Sequence, residues 1–180
     1  VQIETAFVDA YSRHDTDLAA SYLSAELLDA FGTGDWGSGV TSNGLEGMKL
    51  ESQWQASTGF QTVPGACEVR SSSSSGTTVV CPYEYQGLRS EALGLGPCGG
   101  SYYDLRVANG EIVRISDAIA HRDNGFSEQV WEPFADWVAD LHPDDVTVLY
   151  TDKTQSLQRI SEESIPSWEQ RTSEYVESGG

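Results

Sequence analysis

The stretch Tyr102-Tyr103-Asp104-Leu105-Arg106-Val107-Ala108-Asn109-Gly110-Glu111-Ile112-Val113-Arg114-Ile115-Ser116-Asp117 constrains the fold more than any other part of the chain. Asn-Gly between two alternating runs is a hairpin signal, because both residues tolerate the positive φ that a tight reversal needs. If Ala108-Asn109-Gly110 forms a three-residue loop with Gly110 in the left-handed bulge position, Val107 faces Glu111, Leu105 faces Val113 and Tyr103 faces Ile115. One face of the ribbon is then almost wholly apolar, while the other carries Asp104 opposite Arg114 and Arg106 opposite Ile112. A two-residue turn groups Asp104, Ile115 and Asp117 instead. The bulged loop separates polar from apolar better and is the expected form. Continuing the alternation sets Asp117, Ile119 and His121 on the apolar side, where a carboxylate has to be paired, hydrogen-bonded or functional.

The rest of the 180-residue chain supplies partners for this ribbon. Ile3, Phe7, Ala10 and Tyr11 recur at helical spacing and predict a first helix over residues 2–12. His14 to Asp17 breaks it, Asp17 caps a short second helix through Leu23, and residues 25–31 read as a strand. The glycine-rich loop over 32–39 lacks the Lys-Ser or Lys-Thr of a phosphate cradle and reads as a mobile rim. Ser42 or Asn43 caps a third helix over 45–57, with Met48 and Trp54 inward. Strand signals then dominate over 60–70, 77–89, 101–107 and 111–121, with a solvated serine turn at 71–76. From Arg122 onward Val130, Phe134, Trp137, Val138 and Leu141 fall at helical intervals, Pro133 fits a first turn, and His142-Pro143 ends the segment. A last helix over 161–176 presents Ile165, Trp168 and Val176. The expected fold is therefore α+β. Three N-terminal helices pack on a curled antiparallel β-meander, a cone over residues 1–121. A helical extension over 122–180 clasps the cone or a second subunit, and it is acidic, with thirteen acids against four bases.

Charge narrows the partners. Lys and Arg total 10 against 28 Asp and Glu, a formal net charge of -18, which repels nucleic acid and anionic membrane surfaces. No apolar run approaches the roughly 20 residues of a membrane span, and no charged-then-apolar leader precedes Ile3. A soluble, cytoplasmic chain is expected. Cys67, Cys81 and Cys98 have none of the pair spacings that hold zinc, so no metal is expected. A hairpin around the serine turn sets Cys67 opposite Cys81. Joined, they would point to an oxidising compartment and secretion; as two buried thiols they fit the cytoplasmic reading, which is preferred.

Ala6-Phe7-Val8-Asp9-Ala10-Tyr11 leading to Asp15, together with Leu105-Arg106-Val107-Ala108-Asn109-Gly110-Glu111-Ile112-Val113, resembles the SnoaL-like branch of the nuclear transport factor two superfamily. The resemblance covers about residues 2–121. It implies a cone with a small-molecule pocket and cofactor-free chemistry of the cyclase or isomerase type, carried by one aspartate near the end of the meander, the place of Asp117. Matched to limonene epoxide hydrolases, Asp117 again takes an essential aspartate's place and Glu84 falls near the second carboxylate. Pro82 stands where those enzymes keep an arginine, and Asp29 and Phe31 stand roughly where they hold the water. Matched to ketosteroid isomerases, the oxyanion-hole tyrosine falls at Phe7, the protonated aspartate at Tyr103 and the base near Phe31, so that chemistry in its known form is not implied.

The candidate catalytic residues are Asp117, with a pKa raised by desolvation, and Glu84. Val79, Cys81, Tyr83 and Tyr85 hold the apolar parity of their strand, which turns Glu84 outward unless a bulge reverses it. Candidate ligand-binding residues are Asp29, Phe31, Trp54, Tyr83, Tyr85, Tyr103, Leu105 and Ile115. His121 lies four residues from Asp117, about 13 Å along a strand, too far for a dyad. His14 reads as a surface residue in a turn. No nucleophile-elbow spacing is present, which leaves covalent catalysis without support. The expected ligand is an apolar small molecule, no cofactor is expected, and the expected assembly is a homodimer. A non-catalytic binding or dimerisation module is one alternative, and a divergent epoxide hydrolase of the limonene epoxide hydrolase type, implied by the resemblance, is the other.

Overall fold

Two capping side chains, Asp15 and Ser24, decide how the chain leaves its first helix. In the computed structural model, which describes residues 1–33 and 36–180, helix α1 (Gln2–Ser12) buries Phe7, Val8 and Ala10. Asp15 rather than Asp17 caps α2 (Thr16–Ala20), its carboxylate accepting from the Leu18 N–H at 3.3 Å. Ser24 accepts from the Leu27 N–H and starts α3 (Ala25–Asp29), where a strand was expected. A short apolar run fits either period, and the cap tips it to helix. Helix α4 (Gly44–Thr58) begins after Asn43, ends on Gly59 at φ 68°, and buries Met48 and Trp54. The expected mobile rim falls partly on residues 34 and 35, outside the described residues. Its described flanks are tied down, with Trp36 edge-on to Phe31 at 4.7 Å and the Gly39 carbonyl accepting from the Ile160 N–H at 2.8 Å.

The sheet is antiparallel and open. It comprises β1 (Gln61–Pro64), β2 (Glu68–Ser73), β3 (Gly76–Gln86), β4 (Cys98–Ala108) and β5 (Glu111–Ala118), in the order β1-β3-β4-β5 with β2 also on β3. The single strand expected over 60–70 is thus two pieces on one edge of β3, with Gly65 bonded to the Pro82 carbonyl between them. Cys67 and Cys81 are joined in a disulfide, with Cα atoms 4.1 Å apart. This corrects the two-thiol reading.

The β4–β5 hairpin differs from both expected registers. Asn109 and Gly110, at φ 54° and 85°, form a two-residue turn that pairs Ala108 with Glu111. One step on, Val107 pairs with Ile112, and a bulge then shifts the register so that Arg106 meets Arg114, Leu105 meets Ile115 and Tyr103 meets Asp117. Ile112 is therefore buried and Val113 turned out, the reverse of the expected pattern. On the outer face Asp104 accepts from Arg70 at 2.9 Å and Arg114 at 3.0 Å.

Beyond β5 a wide turn at residues 127–131 runs into α5 (Glu132–Leu141) with Pro133 in its first turn, followed by α6 (Val146–Leu149) and α7 (Ile165–Glu177). Trp168 of α7 is fully buried, with ring centroids 5.7 Å from Trp54, 5.9 Å from Phe134 and 5.4 Å from Tyr150. The Ile160 carbonyl accepts from the Thr41 N–H at 2.9 Å, and Arg89 reaches Thr172 at 3.3 Å. The buried faces of α5 and α7 are thus covered within one chain.

The disulfide closes a loop between cysteines 14 residues apart, a constraint that stabilises by about 3 kcal/mol through the unfolded state. A Cys67→Ala/Cys81→Ala variant should lose about 2–3 kcal/mol in urea unfolding with the transition still cooperative. An unchanged midpoint would show that the bond constrains nothing.

Candidate functional site

Tyr83, Tyr103 and Asp117 share a face because Cys81 pairs with Tyr103 and Tyr103 with Asp117, and Tyr85 keeps the buried side of β3 across a register shift between it and Tyr83. Tyr83 and Tyr103 stack with ring centroids 4.5 Å apart and planes 23° apart. The Tyr83 hydroxyl donates to Asp117 Oδ1 at 2.6 Å. Opposite them, α1 and α4 bring a second pair of the same type, the Tyr11 hydroxyl donating to Glu51 Oε2. Tyr11 also meets Tyr103 edge-on at 6.2 Å, so the two pairs share one aromatic wall.

These groups line a cavity of about 530 Å³ between the sheet, α4 and the C-terminal segment. Trp54, Phe60, Phe126 and Trp131 add to its lining, with Phe60 and Phe126 both packed on Tyr85. Residues 154–158 also line it, held by the Trp131 Nε1–H to the Gln155 carbonyl and by Gln155 Nε2 to the Ala135 carbonyl, both 2.9 Å. His121, Arg122, Glu132 and Asp136 line the mouth as exposed side chains. Among the described residues, no group of His, Cys, Asp and Glu is arranged to hold a metal ion.

The aromatic lining sets the electrostatics. Burial pushes Asp117 up to about 7 against the pull of the Tyr83 hydrogen bond, which favours the ionised form. Burial likewise raises Glu51 to about 7; the Tyr11 hydrogen bond lowers it and repulsion from Asp117 raises it. Tyr11, Tyr83 and Tyr103 are all pushed upward, first by burial and then by their charged neighbours, so each stays a donor at neutral pH. The site therefore holds two carboxyl groups that give and take protons near neutrality and three phenols that do not.

Of the residues singled out in the sequence, Asp117, Trp54, Tyr83, Tyr85 and Tyr103 line this cavity. Glu84 does not. It follows the strand parity outward and lines a groove on the outer sheet face with Val63, Pro82 and Tyr102. Asp29 is exposed at the end of α3, and Phe31 and Leu105 are fully buried packing residues. Ile115 lines a smaller hollow of about 300 Å³ that reaches Asp117 beside Trp36 and Leu27. His14 is half-buried rather than exposed, in a turn at φ 61° beside Gln55, and burial lowers its pKa. Sequence reasoning missed Glu51, while its donor Tyr11 was legible only as an inward aromatic of the first helix. The spacing Met48, Glu51, Trp54, Thr58 puts Glu51 in the middle of the buried stripe of α4, and that spacing was a readable signal. Compared with known proteins, the chain matches no family model, no curated protein and no solved structure.

Each carboxyl binds its proton more tightly folded than unfolded. The stability this adds is fully present below about pH 4, the unfolded range, and is lost as pH rises through about 7. Glu51→Gln should therefore flatten the fall in melting temperature between pH 4 and 8 and raise the melting temperature at pH 8. Tyr83→Phe, which removes the donor to the ionised form, should move the Asp117 carboxyl titration further upward in carbon-13 NMR. A downward movement would mean the bond favours the protonated form.

Proposed function

We propose that this chain is a SnoaL-like small-molecule pocket protein that moves a proton on an apolar, polycyclic ligand without a cofactor, with Asp117 as the acid or base. The observation that carries the reading is Asp117 itself, a carboxyl poised near neutrality at the base of an aromatic cavity large enough for two or three fused rings. An ionised Asp117 takes a proton from carbon next to a ligand carbonyl. The carbonyl oxygen, which gains charge as the proton leaves, is met by the Tyr103 phenol, which remains protonated. Glu84 has no part in this step, since it faces away. The Cys67–Cys81 bond supports placing the working protein in oxidising surroundings. The alternative is a binding module without turnover. It draws on the 154–158 strip, a wall of the cavity tied down through Gln155, which favours retention of a ligand.

Deuterium uptake from heavy water into 2-tetralone, followed by NMR, separates the two. The wild-type chain should exchange the position next to the carbonyl above the buffer rate, and Asp117→Asn should lower the catalysed rate by about 10² to 10⁴ with an unchanged circular dichroism spectrum. Binding of 2-tetralone with exchange at the buffer rate would leave the module reading standing. Equal rates in the variant and the wild type would remove Asp117 from the chemistry.

A further inference from the structure

Two half-buried carboxyl groups, Glu51 and Asp117, face one cavity, and among the described residues neither forms an ion pair with a Lys or Arg. The chain has few bases to give. Among the described residues lining the cavity the charged and titratable groups besides the tyrosines are Glu51, Asp117, Glu132 and Asp136, with Arg122 and His121 at the mouth. Acids thus outnumber cations in the lining as they do in the whole molecule, and the field at the cavity favours positive charge. The walls favour it too. Tyr11, Trp54, Phe60, Tyr83, Tyr85 and Tyr103 present ring surface there, and the negative face of a ring attracts an organic cation most strongly where water is excluded. Each carboxyl has one oxygen occupied by a tyrosine hydroxyl, which leaves the other to accept from a ligand.

From this geometry we infer that the cavity selects an aromatic or polycyclic amine, bound as its ammonium form, with Glu51 and Asp117 as the charge-matching pair and the rings as the cage. The inference rests on the small-molecule reading of the same cavity and adds the ligand's charge. Ammonium binding holds both carboxyls ionised, so uptake near neutrality releases protons; with each group titrating at about 7, about one proton leaves per amine bound at pH 7.

The test compares 2-aminotetralin with its neutral counterpart 2-hydroxytetralin on the intact chain, by tryptophan fluorescence and by calorimetry in two buffers of different ionisation enthalpy. At pH 8 the amine should bind about 10-fold or more tighter than the alcohol, and at pH 5 the two should lie within about threefold. Glu51→Gln and Asp117→Asn should each weaken the amine about 10-fold at pH 8 and leave the alcohol within about twofold. Calorimetry at pH 7 should register the released proton. Alcohol binding as tight as amine binding at pH 8 overturns the charge inference and leaves the pocket reading intact. Amine preference that survives in both variants overturns it as well, because the charge is then read elsewhere. Failure of both probes to bind removes the pocket reading and the inference together.

Discussion

The contact between Trp168 and Trp54, edge to face at 5.7 Å, is the one on which the site depends. Trp54 sits on the same helix as Glu51, one turn further along, and Trp168 anchors the C-terminal segment that forms the far wall. Burying an indole removes on the order of 200 Å² from water and contributes on the order of 5 kcal/mol, enough to hold a segment whose many acids repel one another. Without that seat, α4 and the sheet would flank an open trough. More water would then reach the half-buried Glu51 and Asp117, and both would move back toward the ordinary carboxylate range. The extension is thus part of the site even though most of its own charged residues face solvent.

Pairing each acid with a phenol rather than a base has a definite chemical effect. A guanidinium or ammonium partner would hold a carboxylate permanently ionised and pull its pKa down. A tyrosine hydroxyl satisfies one oxygen at modest cost and leaves the proton equilibrium near neutral. Tyr83 and Tyr11 do this for Asp117 and Glu51. The stacked Tyr83 and Tyr103 rings supply the low-polarity surface that raises both acids. Buried charge is kept small by protonation, and the cavity keeps its capacity to become more negative when something positive enters.

Parity carried most of what the sequence disclosed. Alternation along β3 and β4 placed Tyr83, Tyr85 and Tyr103 inward and Glu84 outward, and helical spacing placed Met48 and Trp54. What escaped was local. Residues 25–31 are too short for period to separate strand from helix, and the Ser24 cap, a single hydrogen bond, decided it. The 60–70 run reads as one strand on its apolar pattern alone, although the Pro64-Gly65 pair is a turn signal at the break. Glu51 escaped because a carboxyl on a helix is ordinarily read as solvent-facing, although three of its neighbours at three- and four-residue spacing, Gly47, Met48 and Trp54, are buried. Opposed cysteines were legible, while their oxidation was not, since position alone does not state redox surroundings.

The bulge beside Val113 gives the hairpin a phase that an ideal ribbon lacks. Ile112 and Asp117 are an odd number of residues apart, so a regular strand would show them to opposite sides. Here both point inward: Ile112 docks under the α2–α3 connection through its two backbone bonds to Tyr22 and Ser24, and Asp117 faces the rings. Insertion or loss of one residue between them must sacrifice either the anchorage or the acid. Variation in this ribbon is therefore confined to steps of two, and any descendant that keeps the acid inside while regularising the strand has to find its root on the helices elsewhere.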